Sequence, residues 1–132
     1  MSDHYGYELI EAREQLGISR DDLAALVGVS RPRTIRMWEE RDEPVPADVW
    51  AMVDALLARQ DADVDDALDA IGDAGDVRLG YWTSQEDYEA HGGRTDWHMA
   101  NATARRIAAV LEGMCVDVEW VPGGDPRALK VR

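Results

Sequence analysis

Three arginines lie close together in the segment from Ser30 to Trp38, which contains no acidic residue. The chain as a whole is acidic, with a formal net charge of -13, so this basic segment differs from its surroundings. A guanidinium group presents a planar fork of donors that matches the edge of guanine and the oxygens of a phosphate. The segment therefore indicates nucleic-acid recognition. Arg33 is the best candidate for a base contact, followed by Arg36 one helical turn further on.

Six further residues near these two carry groups that suit a DNA surface. Hydroxyl and guanidinium groups bind phosphate oxygens, and a methionine side chain can touch the methyl group of thymine. We expect the flanking contacts to come from Thr34, Arg31, Ser30, Arg20, Met37 and Arg41.

Arg36 also has potential partners within its own helix. Glu39 and Glu40 follow it by three and four residues, the spacings at which side chains on a helix meet. An ion pair on the protein surface is therefore the competing interpretation of Arg36.

A pair of short helices is predicted to position these side chains. Ser19 is a typical N-cap for the first helix, and Gly28 ends it. Pro32 suits the first turn of the second helix, because its missing N–H would have no partner there. Ile35 and Trp38 fall on one face of that second helix, so we expect them to pack in the core while the arginines face outward.

The rest of the N-terminal part is predicted to be helical as well. A helix before Gly17 and another after Val45 and Pro46 complete a helix-turn-helix domain over residues 1–60. Residues 61–76 are rich in aspartate and alanine, and they favour a short acidic helix over a linker. The apolar stripe predicted for the helix after Pro46 consists of Val49, Met52, Val53, Leu56 and Leu57.

The C-terminal part has a different pattern, which predicts a strand, two helices and a second strand over residues 77–121, then a tail at 122–132. The predicted fold class is therefore α+β, with four to five N-terminal helices followed by a small strand-helix-helix-strand unit. The aromatic residues of this C-terminal unit could form the core of the unit itself, a ligand pocket or a dimer interface, and we favour the dimer interface. The residues assigned to that interface are Tyr81, Trp82, Trp97, Trp120 and Val118.

Composition argues against several other classes of protein. The single cysteine, Cys115, is expected to be buried and forbids an intrachain disulfide, and no apolar run is long enough to span a membrane. We therefore expect a soluble cytoplasmic protein. No glycine-rich phosphate loop or catalytic triad occurs, and His91, Asp96 and His98 lack a recognised ligand spacing. We expect no enzyme activity, no cofactor and no metal.

The order of glycines, cap and apolar residues in the N-terminal part resembles that of Cro/C1-type helix-turn-helix domains. The resemblance spans residues 7–57 and implies binding in the major groove of DNA by the helix that begins near Pro32. Arg20 stands where most members of the family have glutamine, and it can still reach a phosphate. The matching positions are Leu9, Arg13, Leu16, Gly17, Ile18, Ser19, Leu23, Ala24, Gly28, Val29, Ile35, Trp38, Glu39, Val45 and Pro46.

A narrower resemblance covers most of the chain. The segment from Gly28 to Trp38 is one residue longer than is usual in the family. With the Trp38 and Glu39 pair and the later strands and helices, it is similar to the phage autorepressors that accompany anti-CRISPR genes. This resemblance implies that the N-terminal domain reads an inverted repeat and that the C-terminal domain dimerises. It also aligns Arg33 with an arginine of the recognition helix.

These observations predict a sequence-specific DNA-binding transcriptional regulator, a homodimeric repressor that acts at an inverted repeat in double-stranded DNA. Two other functions stay open. In an antitoxin or an interaction module, the C-terminal unit would bind a partner protein. In a translational regulator, the same arginines would bind RNA.

Overall fold

The computed structural model of the chain describes residues 4–129, which form six helices and two strands. They divide into two compact units, the first ending at Arg59 and the second beginning at Gln60. The first unit is helical and the second contains the strands, so the predicted α+β class is confirmed. The first three residues of the predicted N-terminal domain and the last three of the predicted tail lie outside the described residues.

The capping residues, glycines and prolines that the sequence indicated mark helix boundaries in the first unit. Their bounds are α1 Gly6–Leu16, α2 Arg20–Val27, α3 Pro32–Arg41 and the start of α4 at Ala47. Gly17 and Gly28 end α1 and α2 in the left-handed conformation, with φ of 73° and 74°. The Ser19 hydroxyl accepts a hydrogen bond from the Asp22 amide at 3.1 Å, and this caps α2.

The core of the first unit fixes α3 against α1 and α2. Gly6 marks the closest approach, since a Cβ there would lie 1.8 Å from the carbonyl oxygen of Trp38 at the end of α3. Met52 is exposed, which corrects its assignment to the buried stripe of α4. The fully buried apolar side chains of this unit are Leu9, Leu16, Leu23, Ile35, Val45 and Val53.

Helix α4 is one continuous helix of 25 residues, from Ala47 to Ile71. The predicted acidic helix is thus the second half of α4, and the chain has no break near residue 60. The sequence explains the continuity, because α4 contains no glycine or proline and Gly72 follows directly after it. Val64, in this second half, belongs to the core of the second unit.

The second unit follows the predicted order of strand, two helices and strand. Its elements are β1 Asp76–Tyr81, α5 Gln85–Ala90, α6 Trp97–Gly113 and β2 Asp117–Pro122. The strands pair in parallel, with Leu79 opposite Trp120. Because parallel strands cannot be joined by a tight turn, α5 and α6 provide the crossover between them. The core of this sheet contains Leu79, Ala104, Ile107 and Leu111.

Cys115 differs from its prediction as a buried residue that opens the second strand. It is exposed, lies in the turn before β2 and has a φ of 62°. A left-handed residue reverses the chain after a helix, and α6 ends two residues earlier at Gly113. The strand therefore begins only at Asp117.

Part of the predicted tail packs with the second unit. Leu129 forms a parallel bridge with Leu79, on the side of β1 opposite to β2. Its amide donates to the Arg78 carbonyl at 2.8 Å, and its own carbonyl accepts from the Gly80 amide at 3.0 Å. Nearby, the hydrogen bond from Arg127 is the main reason that the pKa of Asp125 is lowered to about 2.

Within residues 4–129, no helix combines the length and the apolar character that crossing a membrane requires.

Candidate nucleic-acid interface

A tight turn joins α2 to α3 and orients the basic segment. Gly28 is left-handed, and the Val29 amide donates to the Ala24 carbonyl at 2.9 Å, which closes the end of α2. The Thr34 amide donates to the Arg31 carbonyl at 3.0 Å, which forms the first turn of α3. Pro32 occupies that first turn, as predicted. Helix α3 therefore starts immediately after the turn, with Arg33 and Arg36 in its first two turns.

Helix α3 has a buried face and an exposed face. Ile35 is fully buried, and Trp38 is half-buried. Arg33 is exposed in the first turn, and it forms no hydrogen bond or ion pair with any residue in the range 4–129. Arg31, the residue before the helix, is likewise exposed and does not use its side chain as a cap. Both guanidinium groups are therefore available to an external ligand.

Arg36 is also exposed, but it already has a partner. Its Nε donates to Oε1 of Glu40 at 2.9 Å, one turn along the same helix. Both side chains are more than half exposed. This is the competing interpretation from the sequence, with Glu40 rather than Glu39 as the partner. Because pairs of this kind contribute only about 0.3–0.5 kcal/mol, Arg36 can leave Glu40 for a stronger ligand.

The remaining candidates of the turn and of α3 lie around these arginines. Ser30 is exposed in the turn, and Thr34 and Met37 are half-buried on α3. Arg41 lies in the last turn of α3, with its Nη1 3.7 Å from Glu43. That separation gives a weak pair between an exposed arginine and a half-buried glutamate.

Arg20 takes part in a network that includes a buried acid. The Glu39 side chain has no exposed surface. Its Oε1 accepts from Arg20 Nε at 2.9 Å and from Arg13 Nη2 at 3.1 Å, while its Oε2 accepts from Arg13 Nε at 3.0 Å. Arg13 Nη1 also donates to the Ile18 carbonyl at 3.3 Å. The carboxylate thus links α1, the start of α2 and α3.

The sequence interpretation missed the structural role of Glu39, which it treated as a neighbour of Arg36 and as a position of the family pattern. Helical spacing contained the signal, because Glu39 follows the buried Ile35 by four residues and Arg13 follows the buried Leu9 by four. Charged residues at core-facing positions of two helices indicate a buried pair. Only the packing of α1 against α3 shows that the two meet.

The residues assigned to a dimer interface differ in exposure. Trp120 is 41% exposed, Tyr81 is also exposed, and Val118 is partly buried against the core of the sheet. Trp82 is 2% exposed and packs edge-on against Tyr88, with ring centroids 5.4 Å apart. Trp97 packs on the same cluster. Trp82 and Trp97 therefore contribute to the core of their own unit.

The histidines and acids of the second unit have local partners. His91 Nδ1 lies 2.8 Å from the Asp87 carbonyl, and Asp96 caps α6 by accepting from the His98 and Met99 amides. Across the described part of the chain, no group of three or more histidine, cysteine or acidic side chains could hold a metal ion.

Comparison with known proteins identifies the first unit. A family model described as helix-turn-helix matches residues 9–56, which run from α1 into α4. No curated protein matches the chain. The matched segment contains the capped α2, the tight turn and the exposed face of α3 described above. This match supports a helix-turn-helix domain of the Cro/C1 type at residues 9–56 and, in general terms, a role in DNA binding and transcription regulation.

Proposed function

We propose that this protein is a sequence-specific transcriptional repressor that reads DNA with α3. The observation that carries the proposal is Arg33, an exposed arginine in the first turn of α3 that has no partner within residues 4–129. In helix-turn-helix proteins the N-terminal residues of the second helix contact base edges in the major groove. We assign Arg33 to the O6 and N7 acceptors of a guanine.

The other contacts follow from their exposure and their distance from Arg33. Arg36 is one turn further along α3, and we propose that it exchanges Glu40 for a base or a phosphate. Met37 is half-buried beside it and suits a thymine methyl group. The contacts proposed for the sugar-phosphate backbone are Arg31, Ser30, Thr34, Arg20 and Arg41.

The direct test compares Arg33→Ala with Arg105→Ala. Duplexes are first enriched from a random library by the wild-type protein, and affinity is then measured on one enriched duplex and on a scrambled version. A bidentate contact to guanine contributes about 1–3 kcal/mol of discrimination. Arg33→Ala should therefore weaken binding to the enriched duplex roughly tenfold or more and bring it close to binding of the scrambled one.

Arg105 is the matched control because it is an exposed arginine on α6, outside the helix-turn-helix domain. Its removal changes the net charge equally and should leave discrimination intact. Thermal unfolding should be unchanged for Arg33→Ala, since its exposed side chain forms no hydrogen bond or ion pair within residues 4–129. Unchanged affinity of Arg33→Ala for the enriched duplex would refute the assignment.

We propose further that the protein acts as a homodimer on an inverted repeat. The outer edge of β2 has no strand paired to it within residues 4–129, and the exposed Trp120 belongs to this strand. An unpaired strand edge is a template for a second strand. Antiparallel pairing of β2 with its copy would create a two-fold axis and double the small sheet. The two α3 helices would then read half-sites about 34–36 Å apart.

From the resemblance of the sequence to phage autorepressors, we propose one target for such a dimer, namely the promoter of its own operon. A reporter driven by that promoter should be silenced by the wild-type protein and released by Arg33→Ala. A partner protein that copurifies in equal amounts, with no duplex enriched from the library, would favour an antitoxin or interaction module. Stronger binding to structured RNA than to duplex DNA would favour translational control.

A further inference from the structure

Glu39 is bonded more extensively than charge compensation requires. A buried carboxylate is costly unless it is paired and hydrogen-bonded. Arg13 alone meets that need, because it donates to both oxygens of Glu39, at 3.0 and 3.1 Å. The 2.9 Å bond from Arg20 therefore adds a second positive charge beside a group that is already neutralised. The bond between Arg20 and Glu39 is therefore not needed to neutralise Glu39, and its role must concern the position of Arg20.

The bond to Glu39 uses only one edge of the Arg20 guanidinium group. Nε is the bonded nitrogen, while neither terminal nitrogen has a partner among residues 4–129. The side chain is 36% exposed. A guanidinium group held by Nε cannot rotate freely, so its two outer nitrogens keep a fixed direction. This outer edge has the geometry that binds two oxygens of one phosphate.

The surroundings of Arg20 offer space for such a ligand. An open depression of about 430 Å³ is lined by Arg13, Ser19, Arg20 and Asp21, at the first turn of α2. The amino end of a helix favours an anion. The Asp21 carboxylate lines the same depression and opposes one. Binding there must therefore depend on how accurately the Arg20 group is placed.

We propose that Glu39 is a positioning residue for DNA binding: it holds Nε of Arg20 so that the two terminal nitrogens bind a backbone phosphate in the depression beside α2. The inference rests on the proposed DNA-binding function and extends it to a buried acid that never touches DNA. The negative charge of Glu39, inside the helix-turn-helix domain, thereby strengthens binding to DNA, which is itself negatively charged. Glu39 does so by fixing the Arg20 guanidinium group in place, and it does not attract the phosphate itself.

The first test is Arg20→Lys, compared with Arg20→Ala and with the exposed control Arg105→Lys. Lysine keeps the charge but has a single ammonium group, which cannot bind Glu39 and a phosphate in the fixed geometry of the fork. Arg20→Lys should therefore weaken binding roughly tenfold. The loss should be equal on the enriched and the scrambled duplex, because phosphates carry no sequence information. Arg105→Lys should bind like the wild-type protein.

The salt dependence of the affinity gives a readout that a purely structural role would not change. Each phosphate contact contributes about 0.9 to the slope of log affinity against log salt. Arg20→Ala should therefore reduce the magnitude of this salt-dependence slope by about 0.9 for each subunit bound. Asp21→Asn should act in the opposite direction and tighten binding at low salt. Neither change removes the bonds between Glu39 and Arg13.

A double-mutant cycle then connects Arg20 with Glu39. Glu39→Gln should weaken binding of both duplexes in the wild-type background and have little effect in the Arg20→Ala background. If Glu39→Gln does not fold, the Arg20→Lys comparison still decides, because that variant retains the buried carboxylate.

Two outcomes overturn the inference while leaving the proposed function intact: wild-type affinity for Arg20→Lys, or an equal loss from Glu39→Gln in both backgrounds. If the wild-type protein enriches no duplex, or Arg33→Ala binds normally, the proposed function fails and this inference fails with it.

Discussion

Among the four arginines from Arg20 to Arg36, the distinguishing property is what each side chain already binds. Arg33 and Arg31 have no partner within residues 4–129, Arg36 pairs with an exposed acid, and Arg20 pairs with a buried one. The availability of these guanidinium groups to DNA should be highest for the unpaired arginines, lower for Arg36 and lowest for Arg20. An exception arises where the existing partner holds the guanidinium group in the position that DNA binding requires. We argue that Glu39 helps in this way, whereas Glu40 only competes.

Removing Glu40 tests that distinction. In Glu40→Gln the Arg36 group is released from its 2.9 Å bond, and one acid is removed from the helix that we propose contacts DNA. Contact between two unit charges in water is worth about 1 kcal/mol. We therefore expect binding to the enriched duplex to tighten by roughly fivefold, with little change in thermal unfolding. Gel-shift titrations at low and high salt would measure the gain.

Glu112→Gln is the matched control, because Glu112 is exposed on α6 and its removal changes the net charge by the same amount. It should leave DNA affinity nearly unchanged. Equal gains from both variants would show that overall charge controls binding and would contradict the role given to Arg36.

At the scale of single residues, the sequence indicated side-chain contacts correctly where the two partners lie within one turn of the same helix. The pair of Arg36 with a following glutamate is local, and spacing alone indicated it. Glu39 was not assigned a structural role, because its partner Arg13 is 26 residues away and belongs to a different helix. Helical spacing indicates that Glu39 and Arg13 both face the core, but it does not show that these two side chains contact each other.

At the scale of elements, two glycines hold the helices in place for different reasons. Gly28 ends α2 with a φ of 74°, and a Cβ there would meet nothing within 4 Å. Gly6 instead lies where α1 approaches α3, and a Cβ would come within 1.8 Å of the Trp38 carbonyl oxygen. The first glycine is needed for its backbone conformation and the second for its lack of a side chain.

Substitution by alanine should separate these two requirements. Gly28→Ala should lower the free energy of unfolding by about 1–2 kcal/mol, the cost of a left-handed conformation for an L-residue. Gly6→Ala should lower it by more than about 3 kcal/mol, because the overlap involves backbone and cannot be relieved by a rotamer change. Urea unfolding followed by circular dichroism would give both values. A smaller loss for Gly6→Ala than for Gly28→Ala would contradict this account.

Element boundaries were predictable wherever capping residues or glycines mark them. Ser19, Gly28 and Pro32 all act where the sequence indicated. The length of α4 was underestimated, since its acidic second half has few apolar residues although nothing interrupts it. The parallel pairing of β1 and β2 and the bridge to Leu129 were beyond prediction, because they depend on contacts between distant segments.

At the scale of the whole molecule, the net charge of -13 constrains how the protein binds DNA. Charges further than about 8 Å from the contact surface are screened at physiological salt. The acids elsewhere in the chain then do not prevent directed contacts at that surface, but an acidic chain has few cations with which to bind DNA non-specifically. Discrimination between sites should therefore depend on a few arginines rather than on a broad basic surface.

The proposed dimer gives the molecular-scale prediction. Sedimentation at micromolar concentration should show a dimer for the wild-type protein and a monomer for Trp120→Asp, because the change introduces a charge at the edge of β2. Met114→Asp alters another exposed apolar residue of the same unit and should remain dimeric. A wild-type monomer, or dissociation by both variants, would contradict the assignment to this strand.

The left-handed turn at Cys115 has a practical consequence for such measurements. The chain contains one cysteine, and its thiol is exposed in the unit that does not contain α3. A thiol-reactive fluorophore would therefore attach at one position per subunit without modifying the helix-turn-helix domain. Counting bleaching steps on single DNA molecules would then report how many copies occupy one site.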